Sequence, residues 1–136
     1  MGKRNEECHL EFDKTLNHFD YYINNYDEDC LKWTNRQLGS FTNTIYSPLG
    51  LIMKFIPFNF PIWTGIKFLI PNIINGNSVL LWFSENCLLI SEIIENLIKN
   101  NEQLSQRCEV LYNDWLNTKE ILETNLIKGV SFTGSL

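Results

Sequence analysis

Two six-residue runs, Leu51–Ile56 (LIMKFI) and Ser78–Phe83 (SVLLWF), are apolar at consecutive rather than alternate positions. A strand with one wet face alternates, whereas a strand apolar along its length must be covered on both faces. Between the runs lies a helical pattern, Ile62–Ile74, with Pro61 acceptable in its first turn and Gly76 as its C-cap. Pro71 is expected to kink or shorten it. After SVLLWF, Ser84 is placed to cap a helix running to about Asn100, with Leu89, Ile90, Ile93, Ile94, Leu97 and Ile98 on one face. A weaker strand is expected at Glu109–Tyr112, a short helix at Trp115–Glu123 and a fourth strand at Ile127–Phe132. The order from Leu51 is β-α-β-α-β-α-β. It calls for an α/β fold, a partial Rossmann-like parallel sheet of about four strands joined by right-handed crossovers.

Upstream, Leu10–Tyr26 carries Phe12, Leu16, Phe19, Tyr22 and Ile23 at the spacing of an amphipathic helix. Tyr26-Asp27-Glu28-Asp29 ends it as a solvated turn, since the Gly and closing Glu of a calcium loop are missing. Gln37–Tyr46 alternates in polarity, as an exposed strand or ribbon would. At 136 residues with 44% hydrophobic content, the chain is expected to fold as one globule around a single core. The net charge is −5 and the basic residues are scattered, which argues against nucleic acid as a partner. The first residues, MGKRNEECHLEF, contain no apolar signal segment. Residues 49–74 are apolar enough to suggest a membrane span, but Lys54 and Lys67 would each cost about 2.5–3.5 kcal/mol near its centre. Asn59 and three prolines also stand against a span. Cys8, Cys30, Cys87 and Cys108 are far apart and signal neither zinc nor a disulfide framework, so buried or bystander thiols in a reducing, cytoplasmic setting are expected. His9 and His18 belong to no triad or metal pattern.

The segment Ile56-Pro57-Phe58-Asn59-Phe60-Pro61 sets one amide between two aromatics and two prolines, directly after a buried strand. Read alone, it is a turn that favours Asn. Taken with Pro48-Leu49-Gly50, Gly76-Asn77-Ser78-Val79-Leu80-Leu81, Ser84-Glu85 and Phe132-Thr133-Gly134-Ser135, it resembles the aldehyde dehydrogenases in motif order and spacing. The likeness covers roughly residues 11–136, is strong from about Ser47, and is nearest to the succinate-semialdehyde dehydrogenase branch.

The resemblance implies that Asn59 is the oxyanion-hole asparagine, held by prolines on both sides and by Phe rings in apolar surroundings. Loss of one such donor typically slows a reaction about 10²–10³-fold. Ile56, Pro57 and Phe58 match backbone positions against the coenzyme. Glu85 matches the acid that accepts from the ribose hydroxyls and favours NAD over NADP; as a first-turn acid it would also suit the helix dipole. Ser135 matches the serine at the pyrophosphate. Residues 1–46 then read as an N-terminal helix and ribbon remnant, and 47–136 as a partial NAD(P)-binding domain truncated at its C-terminus.

Departures from the family pattern shape the functional expectation. Trp82-Phe83 replaces the family's Lys-Pro, which removes a charged ribose donor, weakens the case for NAD or NADP binding and sets an indole toward the adenosine cleft. The family's Gly-rich segment is here NNEQLSQRCEVLYND, without glycine. The family's general base and nucleophilic Cys follow FTGS, so none of the four cysteines corresponds to the nucleophile. The resemblance therefore implies a fragment of an enzyme that oxidises an aldehyde to a carboxylic acid, inactive by itself. The alternatives are a non-catalytic dinucleotide-binding or subunit-interaction module and a piece of a longer coding region. The aldehyde and the oligomeric state, a homo-oligomer among the options, are left open, and exposed apolar patches are expected.

Overall fold

A computed structural model of the chain describes residues 2–26, 32–37, 40–112 and 115–134. Helix α1 (Asn5–Asn25) precedes an antiparallel ribbon in which β1 (Lys32–Gln37) pairs with β2 (Ser40–Ile45). Then come β3 (Leu51–Ile56), α2 (Pro61–Ile74), β4 (Ser78–Phe83), α3 (Leu88–Lys99), the one-turn α4 (Glu102–Ser105), β5 (Cys108–Tyr112), α5 (Trp115–Glu123) and β6 (Ile127–Phe132). Strands β3 to β6 form a parallel sheet in the order β5-β4-β3-β6. The expected Rossmann-like α/β sheet, preceded by a helix and ribbon, is the fold. Asp27–Asp29 of the expected turn, Cys30 and Ser135 lie outside the described residues.

The consecutive apolar runs are explained by cover on both faces. On one face Ile56, Val79, Leu81, Phe83 and Val110 meet Leu69 of α2 with Ile94 and Ile98 of α3. On the other, Met53, Phe55, Leu80 and Trp82 meet Ile121 of α5. Met53, Leu81 and Phe83 are fully enclosed, and each such burial is worth about 1.5–3 kcal/mol. Gly65 lets α2 lie close to the sheet, because a Cβ there would stand 3.2 Å from Ile56 Cδ1.

Helix α2 continues through Pro71 to Ile74 rather than stopping short of it. It closes with Gly76 at φ +81°. The Gly76 N–H donates to Ile73 O at 3.0 Å and the Asn77 N–H to Asn72 O at 2.9 Å, the paired bonds of a Schellman end. Buried Asn77 then accepts at Oδ1 from the Leu49 and Gly50 N–H groups, at 2.7 and 3.2 Å. The Pro48-Leu49-Gly50 and Gly76-Asn77 motifs are thus two halves of one joint at the amino ends of β3 and β4.

Two helices depart from the sequence reading. Helix α1 begins before Leu10 and buries Glu11 and Thr15, whereas Phe12, Leu16, Phe19 and Ile23 are exposed. The inversion is possible because the buried groups are satisfied: Thr15 Oγ1 donates to Glu11 O at 2.8 Å, and the Glu11 carboxylate has partners described below. The Ser84 side chain makes no capping bond; a 3₁₀ turn, Glu85–Cys87, intervenes and α3 starts at Leu88. Of the expected apolar face, Ile94 and Ile98 are buried, while Leu89, Ile93 and Leu97 point outward. The apolar residues occupy more of the helix circumference than the sheet can cover. Helix α4, which the sequence reading passed over, is capped by Asn101 Oδ1 accepting from the Leu104 N–H at 3.0 Å. No helix among the described residues is long and apolar enough to cross a membrane.

Leu89 and Ile93 are 77% and 59% exposed on successive turns of α3, and apolar surface of this kind promotes association. Leu89→Lys with Ile93→Lys should reduce concentration-dependent self-association in sedimentation velocity while shifting stability by no more than about 0.5 kcal/mol. A wild-type chain that is monomeric at every concentration would contradict this.

Candidate functional site

Because β6 joins the sheet on the opposite side of β3 from β4 and β5, the helix that follows β3 and the helix that precedes β6 lie on different faces. The carboxyl ends of those strands flank a crevice, the topological switch point where open α/β sheets take their ligands. Pro57–Phe60 emerges there from β3, Ser84–Glu85 from β4, and Thr133–Gly134 from β6. The Ser84 N–H donates to Ile56 O at 3.2 Å and ties two of these ends together. Ser135, expected beside them, lies outside the described residues.

Asn59 is exposed, and its side-chain oxygen accepts from the Phe60 N–H at 3.0 Å. That bond leaves Nδ2 without an acceptor among the described residues, a free donor on a fixed loop. Lys3 holds the loop: its Nζ donates to Asn59 O at 2.9 Å, lies 4.1 Å from the Phe60 ring centroid and pairs with Glu11. The second Glu11 oxygen accepts from the Trp63 N–H at 2.9 Å, satisfying one of the open donors at the start of α2. Lys3, Glu11, Asn59 and α2 therefore form one connected unit. The Phe rings do not anchor the turn in apolar surroundings, since Phe58 and Phe60 are 53% and 43% exposed. A cation and the buried Pro61 do that work instead. Sequence reasoning missed Lys3 and Glu11 because their partners lie more than 50 positions away.

Of the remaining expected residues, Ile56 is buried at the end of β3 and Pro57 is half-buried. The Glu85 carboxylate is exposed at the start of the 3₁₀ turn and makes no hydrogen bond among the described residues. Trp82 is buried within the α5 face of the sheet, its ring 5.4 Å from that of Phe55. Cys87 and Cys108 are buried thiols held protonated: burial pushes Cys87 up, and burial followed by the Glu109 charge pushes Cys108 up to about 12. Cys8 is exposed on α1. His18 sits edge-on to Tyr22 and Trp63, at 5.0 and 5.1 Å. No group of three His, Cys, Asp or Glu among the described residues is placed to hold a metal.

One charged residue of β3 lies inside. Lys54 is buried on the α2 face of the sheet, and its Nζ donates to Ser131 Oγ at 3.0 Å and Thr133 Oγ1 at 2.6 Å. Burial first, and the neighbouring Lys67 charge second, hold this amine below the usual lysine range. The sequence signal was a lysine in an otherwise apolar strand, read only as evidence against a membrane span.

The family model of the aldehyde dehydrogenase family matches residues 1–136. The NAD(P)+ succinate semialdehyde dehydrogenase Sad of Escherichia coli K12 is 28% identical over 100% of this chain and 29% of its own length. The NADP(+) succinate-semialdehyde dehydrogenase of Deinococcus radiodurans is 29% identical over 67% of this chain and 19% of its own length. Among solved structures, succinic semialdehyde dehydrogenase from Streptococcus pyogenes, in complex with NADP+, superposes with a TM-score of 0.86 at 25% identity. That match covers 99% of this chain and 30% of the neighbour. The chain spans less than a third of the length of these relatives.

Two outcomes follow from the geometry. Glu11→Ala leaves Lys3 without its carboxylate and the Trp63 N–H without its acceptor, and should lower unfolding free energy by about 3 kcal/mol in urea titrations. An effect below about 0.5 kcal/mol would show that the pair does not hold the loop. For Lys54, the unfolded amine binds a proton up to about pH 10.5 while the folded one releases it earlier, so its contribution to stability rises with pH between those values. The raised thiols Cys87 and Cys108 act in the opposite sense, so the readout is the difference in pH dependence between wild type and Lys54→Met. The variant should lack the rising component.

Proposed function

The chain belongs to the aldehyde dehydrogenase family, its kinship lies with the succinate-semialdehyde dehydrogenase branch, and from that premise we propose that it supplies the coenzyme side of an NAD(P)-dependent aldehyde oxidation without performing the cycle by itself. The observation that carries this reading is the gathering of Asn59, Glu85 and Thr133–Gly134 along one switch-point edge, with the Asn59 amide and the Glu85 carboxylate both open to a ligand. A bound NAD(P) would supply the hydride acceptor. Glu85 would accept hydrogen bonds from a ribose diol, and its charge would repel a 2′-phosphate, which favours NAD. The backbone of Ile56, Pro57 and Phe58 would lie along the coenzyme. Trp82, enclosed beside Phe55, contributes packing where a family member has a charged ribose donor, so affinity rests on the remaining groups.

Asn59 would donate from Nδ2 to the oxygen of an aldehyde as that oxygen becomes negative. Lys3 and the Phe60 N–H fix the loop beforehand, so little reorganisation opposes the donation. Neither thiol inside the fold offers an activated nucleophile. A thiol must be a thiolate to attack a carbonyl, and burial keeps Cys87 and Cys108 protonated. This favours the second reading for the isolated chain, a binding module without chemistry.

Calorimetric titration of the 136-residue protein with NAD and with NADP should give micromolar binding of NAD and weaker binding of NADP. Glu85→Ala should narrow that preference about tenfold, equivalent to about 1.4 kcal/mol. No aldehyde, succinate semialdehyde included, should yield NADH in proportion to protein concentration. Equal affinity for both coenzymes would remove Glu85 from the site, and proportional turnover would overturn the inactive reading.

A further inference from the structure

Four of the chain's five tyrosines, Tyr21, Tyr22, Tyr26 and Tyr46, line one cavity of about 760 Å³. It also takes in the Pro48-Leu49 and Gly76-Asn77 joint, at the end of the sheet away from Asn59 and Glu85. None of the four belongs to either packed face of the sheet, and Tyr21, Tyr26 and Tyr46 are 61%, 43% and 58% exposed. The Tyr21 and Tyr22 rings stand at 90° with centroids 5.5 Å apart, so their faces look in different directions. The face of an aromatic ring carries partial negative charge and attracts a cation.

The same cavity receives the carboxyl ends of two helices. Asn25 is the last residue of α1, and Ile74 and Asn75 are where α2 ends; all three line it. A helix presents about half a negative charge at its carboxyl end, which a basic residue in the last turn offsets. Neither α1 nor α2 has one. Arg107 donates to Ile73 O at 3.4 Å, but neither it nor any other charged side chain lines this cavity.

The amides at these helix ends add acceptors. Asn25 Nδ2 donates to Tyr21 O at 2.8 Å and Asn75 Nδ2 to Pro71 O at 2.7 Å, which fixes the nitrogen side of each amide. Each Oδ1 is left without a donor among the described residues. Ring faces, helix ends and amide oxygens all favour positive charge, and no lining residue supplies it.

We propose that this cavity binds a small molecule carrying a protonated amine, the ammonium resting against the tyrosine rings with the Asn25 and Asn75 amide oxygens as its acceptors. A divalent metal would call for carboxylates, and none lines the cavity. The volume is that of a small-molecule pocket rather than of an ion site.

The test is calorimetric titration of the full chain with n-butylammonium chloride, with 1-butanol as its neutral isostere, and with potassium chloride at matched ionic strength. Butylammonium should bind saturably and about tenfold more tightly than butanol or potassium. No saturable binding of butylammonium, or equal affinity for butanol or potassium, overturns the proposal. Tyr26→Leu, at a half-exposed side chain, should weaken butylammonium about threefold. Asn25→Lys sets a cation of the protein's own at the end of α1, and should abolish butylammonium binding while raising the unfolding temperature. A folding defect would lower that temperature, and Tyr26→Leu then decides; butylammonium binding unchanged in Tyr26→Leu refutes the site. Because neither variant touches Glu85 or Asn59, NAD titration should be unchanged in both, which separates failure of this site from failure of the coenzyme reading.

Discussion

After β5 the chain crosses back over the sheet and adds β6 on the far side of β3, so that β3 is paired along both edges and α5 lies on the face opposite α2 and α3. Everything at the carboxyl edge depends on this return. Right-handed crossovers put a helix on one face when the chain advances and on the other when it reverses, and α2 and α5 consequently lie on opposite faces of β3. A sheet that had grown in one direction would have closed that edge with neighbouring loops. It would also have left Lys54 without the hydroxyls of β6.

The same constraint explains why the family-like motifs divide into two kinds. Pro48-Leu49-Gly50 and Gly76-Asn77 meet at the amino ends of β3 and β4, where Asn77 bonds the Leu49 and Gly50 N–H groups. A Cβ on Gly76 would come within 2.9 Å of Pro48 Cγ, so the glycine is required by contact as well as by its positive φ. These motifs build the sheet. Pro57–Pro61, Ser84-Glu85 and Phe132-Thr133-Gly134 stand at the opposite ends and contribute little to the core beyond Pro61 and the strand residues before them.

How much of this was legible in the sequence follows from which interactions are local. The strands Leu51–Ile56 and Ser78–Phe83 were readable because burial on both faces leaves a compositional mark on the residues themselves, whereas the edge strand Ile127–Phe132 alternates between half-buried and exposed positions. The end of α2 was readable because a Schellman turn needs glycine at one position. The buried side of α1 was not. Periodicity assumes that the apolar stripe faces inward, and here Glu11 faces inward because its carboxylate serves a helix start 52 residues away. The role of Lys54 was equally hidden, since its hydroxyl partners are 77 and 79 positions downstream. Charge in an apolar strand could be noticed from the sequence, but its partner set could not.

Donor and acceptor accounting separates side chains that serve the fold from those that remain available. Asn77 is used at both ends of its amide, Oδ1 by two backbone N–H groups and Nδ2 by Asn72 Oδ1 at 3.3 Å. Asn59 is used only at its oxygen, which orients the group while leaving the donor open. Glu11 has both oxygens engaged, whereas Glu85 has none engaged among the described residues. Lys3 has a carboxylate, a carbonyl and a ring around its ammonium, whereas Lys54 has two neutral hydroxyls and the more distant Phe68 ring, 5.7 Å away. In each pair the residues are chemically identical and the local sequence does not tell them apart. A residue whose hydrogen-bonding capacity is exhausted within the protein has no way to act on a ligand, whereas Asn59 and Glu85 keep donor and acceptor capacity at the carboxyl edge of the sheet.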